Sequence, residues 1–144
     1  MWYAPGMASP ARSRSPRINE ITGVIVNSAM KVHSVLGPGL LESAYQACLA
    51  HELRNRGLDV AAQVPLPVFY EGQKLEVGYR IDLVVDSRVV VEVKSLESIH
   101  PIHEAQILSY MRLSGIPVGL LINFNVLHLR HGIKRMVDGR DWEN

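Results

Sequence analysis

Between Arg80 and Lys94 the chain reads RIDLVVDSRVVVEVK, and no other stretch restricts the fold as much. Two runs of β-branched and aliphatic residues flank Asp86-Ser87-Arg88, which has turn chemistry. The pattern predicts strands over Leu75 to Val85 and Val89 to Lys94, joined tightly enough to pair antiparallel. Val89 to Val93 is too apolar for a half-solvated strand and reads as a central one, buried on both faces. Each run nevertheless carries charge. Asp82 interrupts the first; Glu92 and Lys94 interrupt the second. Side chains alternate along a strand, so Glu92 and Lys94 share a face with Val90, while Val91 and Val93 point the other way.

With the turn centred on Ser87, Asp82 falls opposite Glu92, and directly opposed side chains have their Cβ atoms ~5 Å apart. Two carboxylates that close repel unless one is protonated or a cation sits between them. Burying such groups is costly unless they are paired or bound. One reading is a cross-strand salt-bridge face. The other is a site for a hard divalent ion, Mg2+ (or Mn2+), with Lys94 beside it; magnesium commonly takes one or two carboxylates plus water. Phosphodiester hydrolysis uses this set. The metal lowers the pKa of a bound water and polarises a phosphoryl oxygen. The lysine stabilises developing charge or orients the attacking water. Competing chemistries lack their residues: there is no Gly-x-Ser-x-Gly elbow, and Gly37-Pro38-Gly39 is too short for a phosphate loop.

The rest of the chain frames that hairpin. Ile18, Ile21, Val24, Ile25, Ala29, Val32 and Val35 recur at helical spacing, with Asn19 or a neighbour as cap and Gly37-Pro38-Gly39 as stop. A second helix is expected from Leu41 to Arg56, with Leu41, Ala44, Tyr45, Cys48, Leu49 and Leu53 as its apolar stripe and Gly57 at its end. Val60 to Tyr70 contains Pro65 and Pro67 and reads as an edge strand. Glu71 to Lys74 is a hairpin turn. A helix from Ile102 to Ser114 separates the Val89 strand from a buried strand at Pro117 to Phe124, which suits a crossover between parallel strands. Leu127 to Val137 reads as a last strand, broken near Gly132. The order predicts an α/β domain, a mixed central sheet flanked by helices.

The chain has 144 residues, enough for one domain core. Residues 1–17, with three prolines, three serines and three arginines, read as a disordered tail ahead of one domain over 18–144. Net charge is only +1, so basicity gives no argument for nucleic acid. The single cysteine, Cys48, excludes an internal disulfide framework. With no apolar run near the ~20 residues of a membrane helix and no secretory signal at the start, a cytoplasmic protein without membrane association is expected.

A resemblance sharpens the reading. Leu36-Gly37-Pro38-Gly39-Leu40-Leu41-Glu42-Ser43-Ala44-Tyr45 carries G-x-x-E-x-x-Y and resembles the signature of the GxxExxY protein family, a group placed in the PD-(D/E)XK nuclease-like superfamily. The likeness continues in order through Gln63 to Val68, Tyr70-Glu71-Gly72, Arg80 to Val85, Val91-Glu92-Val93-Lys94, Ala105 to Tyr110, Gly119 to Phe124 and Gly132 to Val137. It implies a restriction-endonuclease-like core and a nucleic-acid substrate, DNA or RNA. It also implies roles: Asp82 and Glu92 as metal carboxylates, with the Val93 carbonyl completing the ligand set, and Lys94 as the catalytic lysine. Glu42 resembles an additional acidic residue from an early helix, acting at the metal, and Gln106 a helix glutamine that positions water or substrate. Ile81 stands where the superfamily's name has proline.

Each assignment has a plainer counterpart. Glu42 would also suit the positive end of a helix dipole, and Gln106 a solvated surface. Tyr45 and Tyr110 are candidates for substrate contact or for packing. His103, with His100 near the proposed site, is a candidate for phosphate or metal contact, or a helix-start residue. His128 and His131 lack a cysteine partner for zinc, and His33 and His51 read as surface or core-rim residues. The favoured function is metal-dependent phosphodiester hydrolysis. The rival is a non-catalytic module on a nuclease fold that binds nucleic acid or protein; hydrolysis of a small nucleotide is a third reading. A chain this short would gain recognition surface as a homodimer.

Overall fold

Residues 17–139 are described by the computed structural model, so the expected tail lies outside them except for Arg17. The polypeptide runs α1 (Ile18–Leu36), α2 (Glu42–Asn55), β1 (Val60–Tyr70), β2 (Gln73–Val85), β3 (Val89–Lys94), α3 (Pro101–Ser114), β4 (Val118–Asn123), a 3-10 turn (Leu129–His131) and β5 (Ile133–Val137). The five strands form one sheet in the order β1-β2-β3-β4-β5. The pair β3–β4 is parallel, with α3 making the connection; all other neighbours are antiparallel. This is an α/β, restriction-endonuclease-like fold: a mixed sheet with helices on both faces.

The alternation along β3 divides the core. Val89, Val91 and Val93 pack with Ile25, Leu49 and Leu53 beneath α1 and α2. Val90 packs with Ile107 and Met111 beneath α3. At ~25 cal/mol per Å2 of apolar surface removed from water, this two-sided burial is the main term favouring the fold. Gly119 on β4 leaves room for α3 side chains: a Cβ there would lie 2.8 Å from Met111 Sδ and 3.1 Å from Ile107 Cδ1. The prolines of β1 sit on an edge strand, where a missing N–H costs nothing, and a bulge lies between Leu66 and Val68.

Several local expectations need correction. The N-cap of α1 is Arg17, without a side-chain bond, and Asn19 lies inside the helix, its carbonyl accepting from Thr22 Oγ1. The buried stripe of α2 is Tyr45, Leu49, Ala50 and Leu53, whereas Leu41 and Cys48 are exposed, as is Val35 on α1. Cys48 and Val35 line a groove along the outer side of the α1–α2 pair. Helical spacing locates a stripe to within about one residue, and the crossing partner decides which flank is covered. The last strand is shorter than expected. Leu129, buried in the core on the side of α1, sits in the 3-10 turn, and pairing with β4 begins only at Ile133.

Candidate active site

Strands β2 and β3 pair through Val85–Val89, Val84–Val90 and Leu83–Val91, and there the ladder stops. Beyond it, side chains replace backbone acceptors. The Asp82 N–H donates to Glu92 Oε2 at 2.8 Å, and the Val93 N–H donates to Asp82 Oδ2 at 2.8 Å. Each carboxylate is thus seated on the other strand's backbone, and the two face one another at the mouth of the opening. Glu92 is only 4% exposed.

Gln63 of β1 stands across from Asp82, between the pairs Ala62–Leu83 and Val64–Ile81. Its φ is +52°, a left-handed conformation that costs a non-glycine residue ~1 kcal/mol or more. Its side chain donates to Gln46 Oε1 at 2.9 Å and reaches Asp82 Oδ1 at 3.5 Å. Around this kink the alternation of β2 breaks. Leu83 faces α1 and α2, but Ile81 packs on the α3 side. Tyr79, whose ring meets Tyr110 of α3, is turned the same way.

The electrostatics follow from burial. Desolvation, with the Asp82 charge added, pushes the Glu92 carboxyl up to about 8. Asp82 is also raised, chiefly by burial, against the lowering effect of the Val93 N–H and of Lys94. Lys94 Nζ donates to Gln106 Oε1 at 3.3 Å, and Gln106 Nε2 donates to the Tyr110 hydroxyl at 3.2 Å. A chain of two hydrogen bonds therefore fixes the lysine from α3, on the face that bears the carboxylates.

Glu42 occupies the first turn of α2 and accepts from the Ser95 N–H at 3.1 Å, while Ser95 Oγ donates to the Leu40 carbonyl at 2.6 Å. The GxxExxY segment thereby holds the residue that follows Lys94. The charge of Glu42 contributes to raising both Asp82 and Glu92, so it lies within their field. Among the described residues, no three His, Cys, Asp or Glu side chains stand together as a metal-holding group. The structure brings Asp82 and Glu92 together and leaves Glu42 on the Ser95 peptide. Two acids of raised pKa with the Val93 peptide beside them still suit a hard cation, which needs only one or two carboxylates and fills its shell with water.

The other candidates separate clearly. Tyr45 is fully buried, stacked on Phe124 at 4.5 Å, and its hydroxyl donates to the Gly37 carbonyl and accepts from the Leu40 N–H. It has no surface left for substrate, which corrects the expectation of a contact there. Tyr110 and His103 both line a cleft of about 310 Å3 beside Gln106. His103 Nδ1 also accepts from the His100 N–H at 2.9 Å, a helix-start bond.

Two further residues hold the site without any motif to mark them. Gln63 was visible only as a polar residue inside an edge strand. Asn123, 2% exposed, grips the segment behind Lys94: its Oδ1 accepts from the Leu96 N–H at 2.9 Å and its Nδ2 donates to the Leu96 carbonyl at 3.0 Å. An asparagine ending an otherwise apolar strand was the signal available.

A family model described as the PD-(D/E)XK nuclease superfamily matches residues 19–136. The chain belongs to that superfamily. No curated protein and no solved structure matches it. Among the described residues the match runs from the second residue of α1 to the next-to-last of β5, and the PD-(D/E)XK label fits the acid strand and the E-x-K strand. Where the label has proline, this PD-(D/E)XK chain has Ile81, buried at 1% exposure and used as α3-side core.

Proposed function

We propose that this chain is a divalent-metal-dependent nuclease that hydrolyses phosphodiester bonds in DNA or RNA. One observation carries the reading: Glu92, buried, and Asp82, half-buried, mutually repelling and both raised in pKa, open onto the face where Gln106 holds Lys94. Perturbed carboxylates in that setting are enriched at functional sites. Nucleases of the superfamily generally use divalent metals. Asp82, Glu92 and the Val93 carbonyl would hold Mg2+ or Mn2+, which supplies Lewis acidity and an acidified water.

The protein's own groups do the rest. Gln106 orients the Lys94 ammonium towards the charge that develops on the phosphate. Glu42 and Asn123 fix the backbone on either side of Ser95, so the lysine is not displaced. The convergence of the Gly37 carbonyl, the Leu40 carbonyl and Glu42 on Tyr45 and Ser95 supports placing the chain in the GxxExxY group. The exposed, unpaired thiol of Cys48 supports a reducing, cytoplasmic setting. No helix among the described residues is long and apolar enough to cross a membrane.

The test is calorimetric titration of Mg2+ and Mn2+ into the protein and into an Asp82→Asn/Glu92→Gln double variant, repeated with short oligonucleotides present. Saturable binding lost only in the variant is expected, together with metal-dependent cleavage. Absence of metal binding under both conditions would overturn the reading and favour a non-catalytic module.

A further inference from the structure

The cleft that Tyr110 and His103 line is bounded across its mouth by Tyr79 of β2, with Ile102, Ser109 and Leu113 completing it. We propose that it is a base-stacking subsite for an unpaired nucleobase beside the scissile phosphate, so that the substrate is single-stranded nucleic acid or a frayed end. The inference rests on the nuclease reading and narrows its substrate class.

Four observations lead to it. The Tyr79 and Tyr110 rings lie 6.0 Å apart between centroids and 46° apart in plane, so they offer two π faces at an angle, one from the ribbon and one from the helix. The apolar rim is left open to solvent: Tyr79 is 48% exposed and Ile102 70%. Gln106 spans the distance from this cleft to the reacting centre, bonded to Tyr110 on one side and to Lys94 on the other. Finally, none of the lining residues is acidic, while His103, Gln106 and Ser109 put donors and acceptors at the edge.

A volume of about 310 Å3 is at the small end for ligand pockets and suits one heterocycle rather than a base pair. Bases within a duplex have both faces covered by their neighbours, so only an unstacked one can enter. Stacking on an aromatic ring tolerates any base, because each has a π face. That matches a cleft walled mainly by aromatic and apolar surface with polar groups at its edge, and a chain of net charge +1, which has little capacity for duplex binding through phosphates alone. The break in alternation beside Gln63 leaves Ile81 and Tyr79 on the α3 side, so the cleft and the acid pair adjoin the same irregular stretch of β2.

The test is equilibrium binding, in Ca2+, of an oligonucleotide about 12 residues long carrying 2-aminopurine, as DNA and as RNA, single-stranded and annealed to its complement. The full chain is compared with Tyr79→Ala, Tyr79→Phe and, as an exposed helix-surface change that leaves the ribbon intact, Ile102→Ala. Single strands are expected to bind more tightly than duplex and to show altered 2-aminopurine emission. Tyr79→Ala should weaken single-strand binding about 5- to 100-fold, Ile102→Ala should weaken it in the same direction, and Tyr79→Phe should retain it. If single-strand binding is indifferent to Tyr79→Ala and Ile102→Ala while metal-dependent cleavage persists, the subsite is wrong and the nuclease reading stands. Duplex binding as tight as single-strand binding overturns the subsite in the same way. If no oligonucleotide binds and no metal titrates, both fall.

Discussion

Glu92 is buried beside a second acid, Asp82. Its folded pKa of about 8 lies above the ordinary 4.5, so the folded chain holds a proton that the unfolded chain releases. The stability tied to that proton is fully present below about pH 4.5 and is lost as pH rises through about 8. Over the whole window the linkage is on the order of 3–5 kcal/mol, and Asp82, also raised, acts in the same direction. Glu92→Gln removes the charge but keeps an oxygen to accept from the Asp82 N–H. In the metal-free protein it is expected to raise stability at pH 8 by ~2 kcal/mol, to have little effect at pH 4, and to abolish Mg2+ binding. Urea unfolding at the two pH values, with calorimetry, checks this; equal stabilisation at both would show that charge burial is not the cause. The pair Asp82 and Glu92 was legible from alternation and turn length alone, because hairpin register is a local property. The roles of Gln63 and Asn123 were not, since each acts through partners on other elements.

Asp86 and Ser87 both have positive φ, at 51° and 56°, and the Arg88 N–H returns to the Val85 carbonyl at 2.9 Å. That is the turn geometry in which Asp-Gly is preferred, because the second position tolerates no Cβ comfortably. Ser87→Gly is therefore expected to raise the melting temperature, by ~1 kcal/mol in stability, and a lowered one would show that Ser87 makes a contact worth more than the strain. Gly132 presents the opposite case. A Cβ there would lie 2.2 Å from the Asn123 carbonyl oxygen, across the bond in which the Asn123 N–H donates to the Gly132 carbonyl at 2.8 Å. Gly132→Ala should cost ~1–3 kcal/mol and loosen the Asn123 clasp on Leu96, which amide exchange at Leu96 would report. The sequence marked Gly132 as a break in a strand. It could not show that the reason is backbone approaching backbone, because that is decided by where β4 ends.

For the molecule as a whole, metal and pH are linked through the same carboxylates. A cation that binds Asp82 and Glu92 must displace the proton on Glu92, so its affinity rises as pH rises towards about 8. Mg2+ should therefore raise the melting temperature more at pH 8 than at pH 6, following the mass-action gain for a ligand that binds only the native state. Scanning calorimetry at both values decides it; a pH-independent shift would place the metal elsewhere. The element order, the central place of β3, the parallel β3–β4 crossover and the opposition of Asp82 and Glu92 are all legible in the amino-acid order. All of these follow from periodicity, turn chemistry and short chain distances. Four features are legible only in the folded chain: Glu42 is held by the Ser95 peptide, Tyr45 is used in packing, Cys48 lies outside the core, and Tyr79 meets Tyr110. Periodicity says which side of an element a residue occupies, but only the packing of elements distant in sequence says what lies on that side.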